Sequence, residues 1–145
     1  MKRFAFRLER VLDLRRMEAD MEQNKLAALE VEMEKLRDRL RSLTDAYQHQ
    51  VSVVSTDPYE RSQLNDYRLR FESTHRQVEA DLQQRQRAAE IQRAQYVAAR
   101  QKVEVLEKVK RKQKEDWERQ LQKELDDMAM DSFLARWSPP STSRQ

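Results

Sequence analysis

The densest run of chemically active side chains in this sequence is Lys108, Lys110, Arg111, Lys112 and Lys114. Five cations in so short a stretch can hold an anionic surface, either a phosphate backbone or a patch of carboxylates on another protein. Acids flank the run at Glu104, Glu107, Glu115 and Asp116, and no aromatic residue interleaves within it, which weighs against nucleic acid. Nor is there a basic region leading without a break into a zipper, as a bZIP protein has. The run reads as a basic surface for an acidic protein partner or as a solvated helix face. His49 and His75 are the only histidines; they lie on either side of Pro58, within about 20 residues of it, and could approach one another, but they read as solvated polar positions on helices.

Other chemistry has few residues to run on. Glycine is absent, so no loop can cradle a phosphate. Cysteine is absent, which removes thiol nucleophiles, disulfides and thiolate metal sites and is compatible with a reducing, cytosolic setting. Serines and carboxylates are plentiful, but they fall on exposed helix faces where no pocket desolvates them. The expectation is a non-enzyme with no catalytic residue, no cofactor and no metal.

The elements that must carry these side chains follow from the same lack of punctuation. Glycine and proline make turns, and the only prolines are Pro58, Pro139 and Pro140. Between them the chain is rich in Leu, Ala, Glu, Lys, Arg and Gln, all good helix formers. Hydrophobic and charged residues each make up 38% of the sequence. With a mean hydropathy of −1.06, that balance suits a coiled coil better than a compact core. No apolar run approaches the roughly 20 residues of a membrane span. The opening MKRFAFRLERVLDLRR is basic and amphipathic without the apolar stretch of a secretory signal, and Glu9 and Asp13 weigh against a mitochondrial presequence.

The periodicity is regular. Leu26, Leu29, Met33, Leu36, Leu40, Leu43, Tyr47, Val51 and Val54 alternate spacings of three and four, a heptad seam. Upstream it continues, more weakly, through Glu22, Ala19, Arg15, Leu12, Leu8 and Phe4. Val11, Leu14, Met17 and Met21 widen the apolar face near the start. A second seam runs through Leu64, Tyr67, Phe71, Thr74, Val78, Leu82, Arg85, Ala89, Gln92, Tyr96, Ala99, Val103 and Leu106, then less cleanly through Gln113, Trp117, Leu121, Leu125 and Met128. Between the seams, Asp57 suits an N-cap, Pro58 the first helical position and Glu60 the third residue of a capping box.

The sequence therefore predicts an all-α fold, a long antiparallel two-helix coiled-coil hairpin with an extended second helix. Residues 1–137 form one helical hairpin, with helix one over about 4–54, a turn at about 55–57 and helix two over about 58–136. Residues 138–145 form a disordered tail. A turn centred near residue 56 places Phe4 opposite Lys108 and Leu26 opposite Gln86. Roughly 25 residues of helix two, roughly 40 Å, are then left without an internal partner. That overhang carries Trp117, Leu121, Leu125, Met128, Phe133, Leu134 and Trp137, which implies an external partner. Residues 1–16 and 100–114 are strongly basic while the remainder is acidic, so folding back gathers Arg3, Arg7, Arg10, Lys108, Lys110, Arg111 and Lys112 at one end. Similar heptad lengths on both sides of Pro58 favour a monomeric hairpin over a parallel dimer.

Both ends resemble the FliJ family of flagellar export proteins. Residues 4–19, FAFRLERVLDLRRMEA, are similar to its Phe-x-Phe-x-Leu-x-x-Val-Leu opening with following basic residues and Glu-x-Ala. Residues 106–133, LEKVKRKQKEDWERQLQKELDDMAMDSF, are similar to its closing segment, with Asp126 and Asp127 where the family usually has Asp-Glu. The resemblance implies a two-helix coiled coil like the γ stalk of rotary ATP synthases. Its implied partners are the hexameric flagellar export ATPase, which it binds and stimulates, the cytoplasmic region of the export-gate membrane protein, and export chaperones. It implies a cytoplasmic location, peripherally associated with the inner membrane at the flagellar base. The basic residues above then form an ATPase-binding patch, and Trp117, Leu121, Leu125 and Met128 a partner-docking face. The family's gate contact, spaced 4, 3, 4 early in helix two, falls on Tyr67, Phe71, Thr74 and Val78, which also belong to the helix-two seam. The alternatives are a plain structural coiled coil and the equivalent stalk of a virulence type III secretion system.

Overall fold

The computed structural model describes residues 2–52 and 56–137. Two helices make up nearly all of it, α1 (Glu9–Val51) and α2 (Pro58–Arg136), and no strand occurs among the described residues. The chain is an all-α antiparallel helical hairpin with an extended second helix. The tail expected over 138–145, and Ser55 of the expected turn, lie outside the described residues.

The start of α2 follows from its cap. The Asp57 carboxylate accepts a hydrogen bond from the Tyr59 backbone N–H at 3.1 Å, and the Asp57 carbonyl accepts from Arg61 N–H at 3.1 Å. Pro58 occupies the first helical position, where its missing N–H costs nothing, and Glu60 lies in the positive first turn. No described residue has positive φ, so the helix ends are made without a left-handed cap. Helix α1 stops at Val51, where Ser52 N–H still bonds Gln48 O at 3.0 Å and the Ser52 hydroxyl bonds His49 O at 2.7 Å.

Helix α1 begins at Glu9 rather than near residue 4, because residues 2–8 are irregular. No glycine or proline forbids a helix there. The contacts that hold Phe4 and Phe6 against α2 outweigh local propensity.

The chain divides into two compact units, Met1–Arg15 with Lys102–Gln145, and Arg16–Gln101. In the Arg16–Gln101 unit the helices run antiparallel: Glu22 meets Gln92, Glu32 meets Arg85 at 3.2 Å, and Tyr47 meets Phe71. Ala19, Met33, Val78 and Ala89 are buried, and Leu26, Leu29, Leu36, Leu40, Leu43, Leu64, Leu82 and Tyr96 are half-buried between them. A single seam between two helices covers only one stripe of each, so most of its residues keep some exposure. Met17 and Met21, expected to widen the apolar face, are exposed. Arg85, expected in the seam, lies at its edge and reaches Glu32.

In the other unit Leu12 and Val103 are fully buried, Phe6 is buried, and Leu106 is half-buried. The register differs from the one counted from the turn. Phe4 meets Trp117 rather than Lys108, and Glu9 meets Lys110. The same offset is already present at Tyr47–Phe71 and at Glu9–Lys110, both within the helices, so residues 2–8 do not cause it. Gln113, expected in the seam, is exposed; from Lys110 onward the partly covered positions are Lys110, Asp116, Trp117 and Leu121. Every residue from Gln122 to Trp137 is exposed. The uncovered part of α2 is thus about 22 Å long at 1.5 Å per residue, shorter than the count from the turn gives.

Candidate partner-binding surfaces

The unit Met1–Arg15 with Lys102–Gln145 brings the expected basic residues together. Arg3 and Arg7 lie in the irregular segment, Arg10 in the first turn of α1, and Lys108, Arg111 and Lys112 on α2. All six are exposed. Lys110 differs: its ammonium bonds both carboxylate oxygens of Glu9, at 2.9 and 2.8 Å, and is half-buried. That ion pair neutralises Lys110 within the fold, so the outward-facing cations are the other six. Exposed cations of this kind attract acidic surfaces over a screening length of about 8 Å at physiological ionic strength, and salt weakens them.

The apolar residues toward the end of α2 separate into two halves. Trp117 and Leu121 are half-buried. The Trp117 ring lies 5.9 Å from that of Phe4, tilted by 50°, and its indole N–H donates to the Lys2 carbonyl at 3.3 Å. Trp117 therefore has an internal partner, contrary to the expected overhang. Leu125 and Met128, further along the same helix face, are 43% and 58% exposed. Met130, Phe133, Leu134 and Trp137 are also exposed and add a second apolar strip at i, i+3, i+4 and i+7 spacing. This end of α2 is thus apolar on two sides and covered on neither.

The residues matched to the gate contact lie in the seam of the Arg16–Gln101 unit. Val78 is 1% exposed, so its side chain is core and unavailable to a partner. Tyr67, Phe71 and Thr74 are half-buried. Tyr47 stacks on Phe71 with centroids 4.3 Å apart and planes 9° apart, and lies 6.2 Å from Tyr67. The His75 ring lies 5.4 Å from Phe71, and its Nδ1 is 3.4 Å from the Glu79 carboxylate. The sequence pattern did not single out Tyr47 as the partner of this aromatic group, nor Phe6, which is buried in the unit Met1–Arg15 with Lys102–Gln145. A signal for Phe6 was present: Phe4 and Phe6 alternate with polar or small residues, a period of two that belongs to extended backbone.

Among the described residues no group of three His, Cys, Asp or Glu side chains is placed to hold a metal ion. No described helix is long and apolar enough to cross a membrane. Hollows occur along α2 at Glu90–Gln101, between Leu43 of α1 and Tyr67, Phe71 and Thr74 of α2, and beside residues 2–6.

Antiparallel pairing along a heptad seam, with cationic and apolar side chains turned outward, defines a coiled-coil helical hairpin. The family model described as "Flagellar FliJ protein" matches residues 4–137, and the chain belongs to the FliJ family. Membership makes it a component of flagellar export, in a family not known for enzyme activity. No curated protein and no solved structure matches it significantly.

Proposed function

We propose that this chain is a stalk of the flagellar export apparatus that binds and stimulates the hexameric export ATPase. In this reading the stalk also links the ring to the cytoplasmic region of the export-gate membrane protein and handles export chaperones. It works in the cytoplasm, peripherally at the inner membrane beneath the flagellum. The observation that carries the reading is the pairing, within one compact unit, of six exposed cations with an α2 end whose residues 122–137 are all exposed and apolar on two sides. The cations meet an acidic surface of the ring, and Leu125 and Met128 anchor the docking helix, with Trp117 and Leu121 extending the same face. Tyr67, Phe71 and Thr74 serve the gate from the other unit through their exposed edges. The chain supplies no catalytic group and takes no cofactor; its contribution is to favour the ring assembly in which the ATPase turns over.

The test is ATPase turnover by the purified ring with and without the full chain. Stimulation is expected from the parent chain and a loss of most of it from Leu125→Ala with Met128→Ala. A ring equally active with and without the parent chain would falsify the reading.

A further inference from the structure

Residues 2–8, Lys-Arg-Phe-Ala-Phe-Arg-Leu, lie outside the helices although Phe4, Leu8 and Leu12 continue the heptad spacing and nothing in the segment blocks a helix. Tertiary contact holds them there. Phe6 is 8% exposed, Phe4 packs on Trp117, and Lys2 O accepts the Trp117 indole N–H. Lys2 also borders the hollow made by Trp117, Gln120, Leu121 and Glu124.

What this segment covers is half of one stripe. Trp117, Leu121, Leu125 and Met128 recur at spacings of 4, 4 and 3, which puts them on one helix face. The first two are half-buried where residues 2–6 lie, and the last two are exposed. Charge fits the same arrangement. The segment carries Lys2, Arg3 and Arg7 and no acid, whereas residues 115–131 carry seven acids against two cations. A basic, aromatic peptide is thus seated on an acidic, apolar helix face.

We infer that residues 2–8 are a detachable strap, an internal ligand that occupies the first half of the α2 docking stripe and leaves when a partner segment of like chemistry, aromatic side chains flanked by Lys or Arg, takes its place. Two features make release feasible. The outer end is held at Phe4 and Lys2 by one tilted ring contact and one long hydrogen bond, so that burial of Phe6 is the main contact to be given up, and the freed segment has a second home. Wound onto the start of α1, residues 4–8 regain backbone hydrogen bonds in the α1 heptad. Release bares Trp117 and Leu121 and joins them to Leu125 and Met128 in one four-residue face. It also frees Arg3 and Arg7 to move, which couples the strap to the basic patch. The inference rests on the reading of α2 as a docking helix.

The experiment uses the full chain with Trp137→Phe, so that Trp117 is the only indole. Three versions are compared: this parent, Phe4→Ala to loosen the strap, and Lys2→Cys with Gln120→Cys joined by a bismaleimide linker to hold it down. The probe is a labelled synthetic peptide of residues 2–10. Phe4→Ala is expected to bind the peptide at least tenfold tighter than the parent, with a blue shift of Trp117 emission, and the tethered chain at least tenfold weaker. The tethered chain is held in its folded arrangement, so it reports even if Phe4→Ala loosens the fold. Equal affinity for all three overturns the strap. Binding of the ATPase ring is then measured for the same three chains and is expected to follow the same order. If the peptide discriminates among them and the ring does not, control of ring binding by the strap is overturned and with it the docking reading of this face, leaving residues 2–8 as a structural clasp.

Discussion

Gln92 of α2 reaches across the seam to Glu22 of α1, its amide donating to the Glu22 carbonyl at 3.0 Å and to the Glu22 carboxylate. Gln92 is 8% exposed, in a seam whose other buried members are apolar. A polar residue at such a position trades stability for a defined register, because every slipped pairing leaves its amide buried without a partner. Here the amide is satisfied by Glu22, which lies opposite.

Replacing Gln92 with Leu is therefore expected to leave the melting temperature equal or higher while blurring the register. Disulfide trapping between cysteines placed singly along α1 near position 22 and along α2 near position 92 measures it. The parent should trap one pairing, and Gln92→Leu two or more. A single trapped register in the variant removes this role. Gln92→Ala should cost roughly 1–2 kcal/mol, since it strips the seam of packing and leaves Glu22 without its cross-seam donor.

The cap at Asp57 supports a local prediction. Asp57→Ala removes the acceptor for Tyr59 N–H and should cost about 1 kcal/mol. Amide exchange should accelerate over the first turn of α2 and stay unchanged at Val103. Uniform acceleration through both helices would mean that the cap is coupled to global unfolding.

How much of this was legible in the sequence depends on the length scale of the signal. Asp57, Pro58 and Glu60 fixed the start of α2, because a cap is a local arrangement of adjacent residues. Leu12, Ala19, Met33, Val78, Ala89 and Val103 were all assigned to the seam by period alone, and all are buried. The register was not legible. Counting from the turn took its centre at residue 56, whereas the pairs Tyr47–Phe71 and Glu9–Lys110 centre about three residues later, and no local pattern marks that shift. Gln92 was read as one more seam position, yet it bonds Glu22 across the seam. Lys110 was read as part of the outward patch, because nothing in its neighbours along the chain signals that Glu9 lies within 3 Å. Pairings between residues some hundred positions apart leave no trace in local composition.

The Glu9–Lys110 pair separates two effects of charge reversal. Lys110→Glu places two carboxylates together and should lower the melting temperature by several degrees, whereas Lys110→Met keeps the stem and should change it little. Lys108→Glu with Arg111→Glu lies on the exposed surface and should leave the melting temperature within a few degrees of the parent. The same double variant should cut stimulation of the ATPase ring several-fold, and raising salt from 50 to 300 mM should do likewise for the parent. Stimulation insensitive to both salt and the double reversal would show that the ring does not use this patch.

The two halves of the α2 stripe should respond in opposite ways. Trp117 packs on Phe4 and donates to Lys2, so Trp117→Ala removes an aromatic contact worth roughly 0.5–1.5 kcal/mol beyond its buried area. The loss should appear in the isolated chain, as faster amide exchange over residues 9–15 and 102–110. Leu125 and Met128 lie on the uncovered part of α2, at 43% and 58% exposure. Leu125→Ala with Met128→Ala should leave the melting curve of the isolated chain unchanged within about 2 °C. Binding to the ATPase ring should weaken at least tenfold, the scale of apolar anchors at an interface centre. Calorimetric melting of the chain and titration of the ring with the labelled chain make the comparison. If Leu125→Ala with Met128→Ala melts early, the uncovered end of α2 is held by the chain itself, for instance through a second copy. If it melts normally and binds normally, the docking face lies instead on the strip of Met130, Phe133, Leu134 and Trp137, where the same substitutions can be repeated.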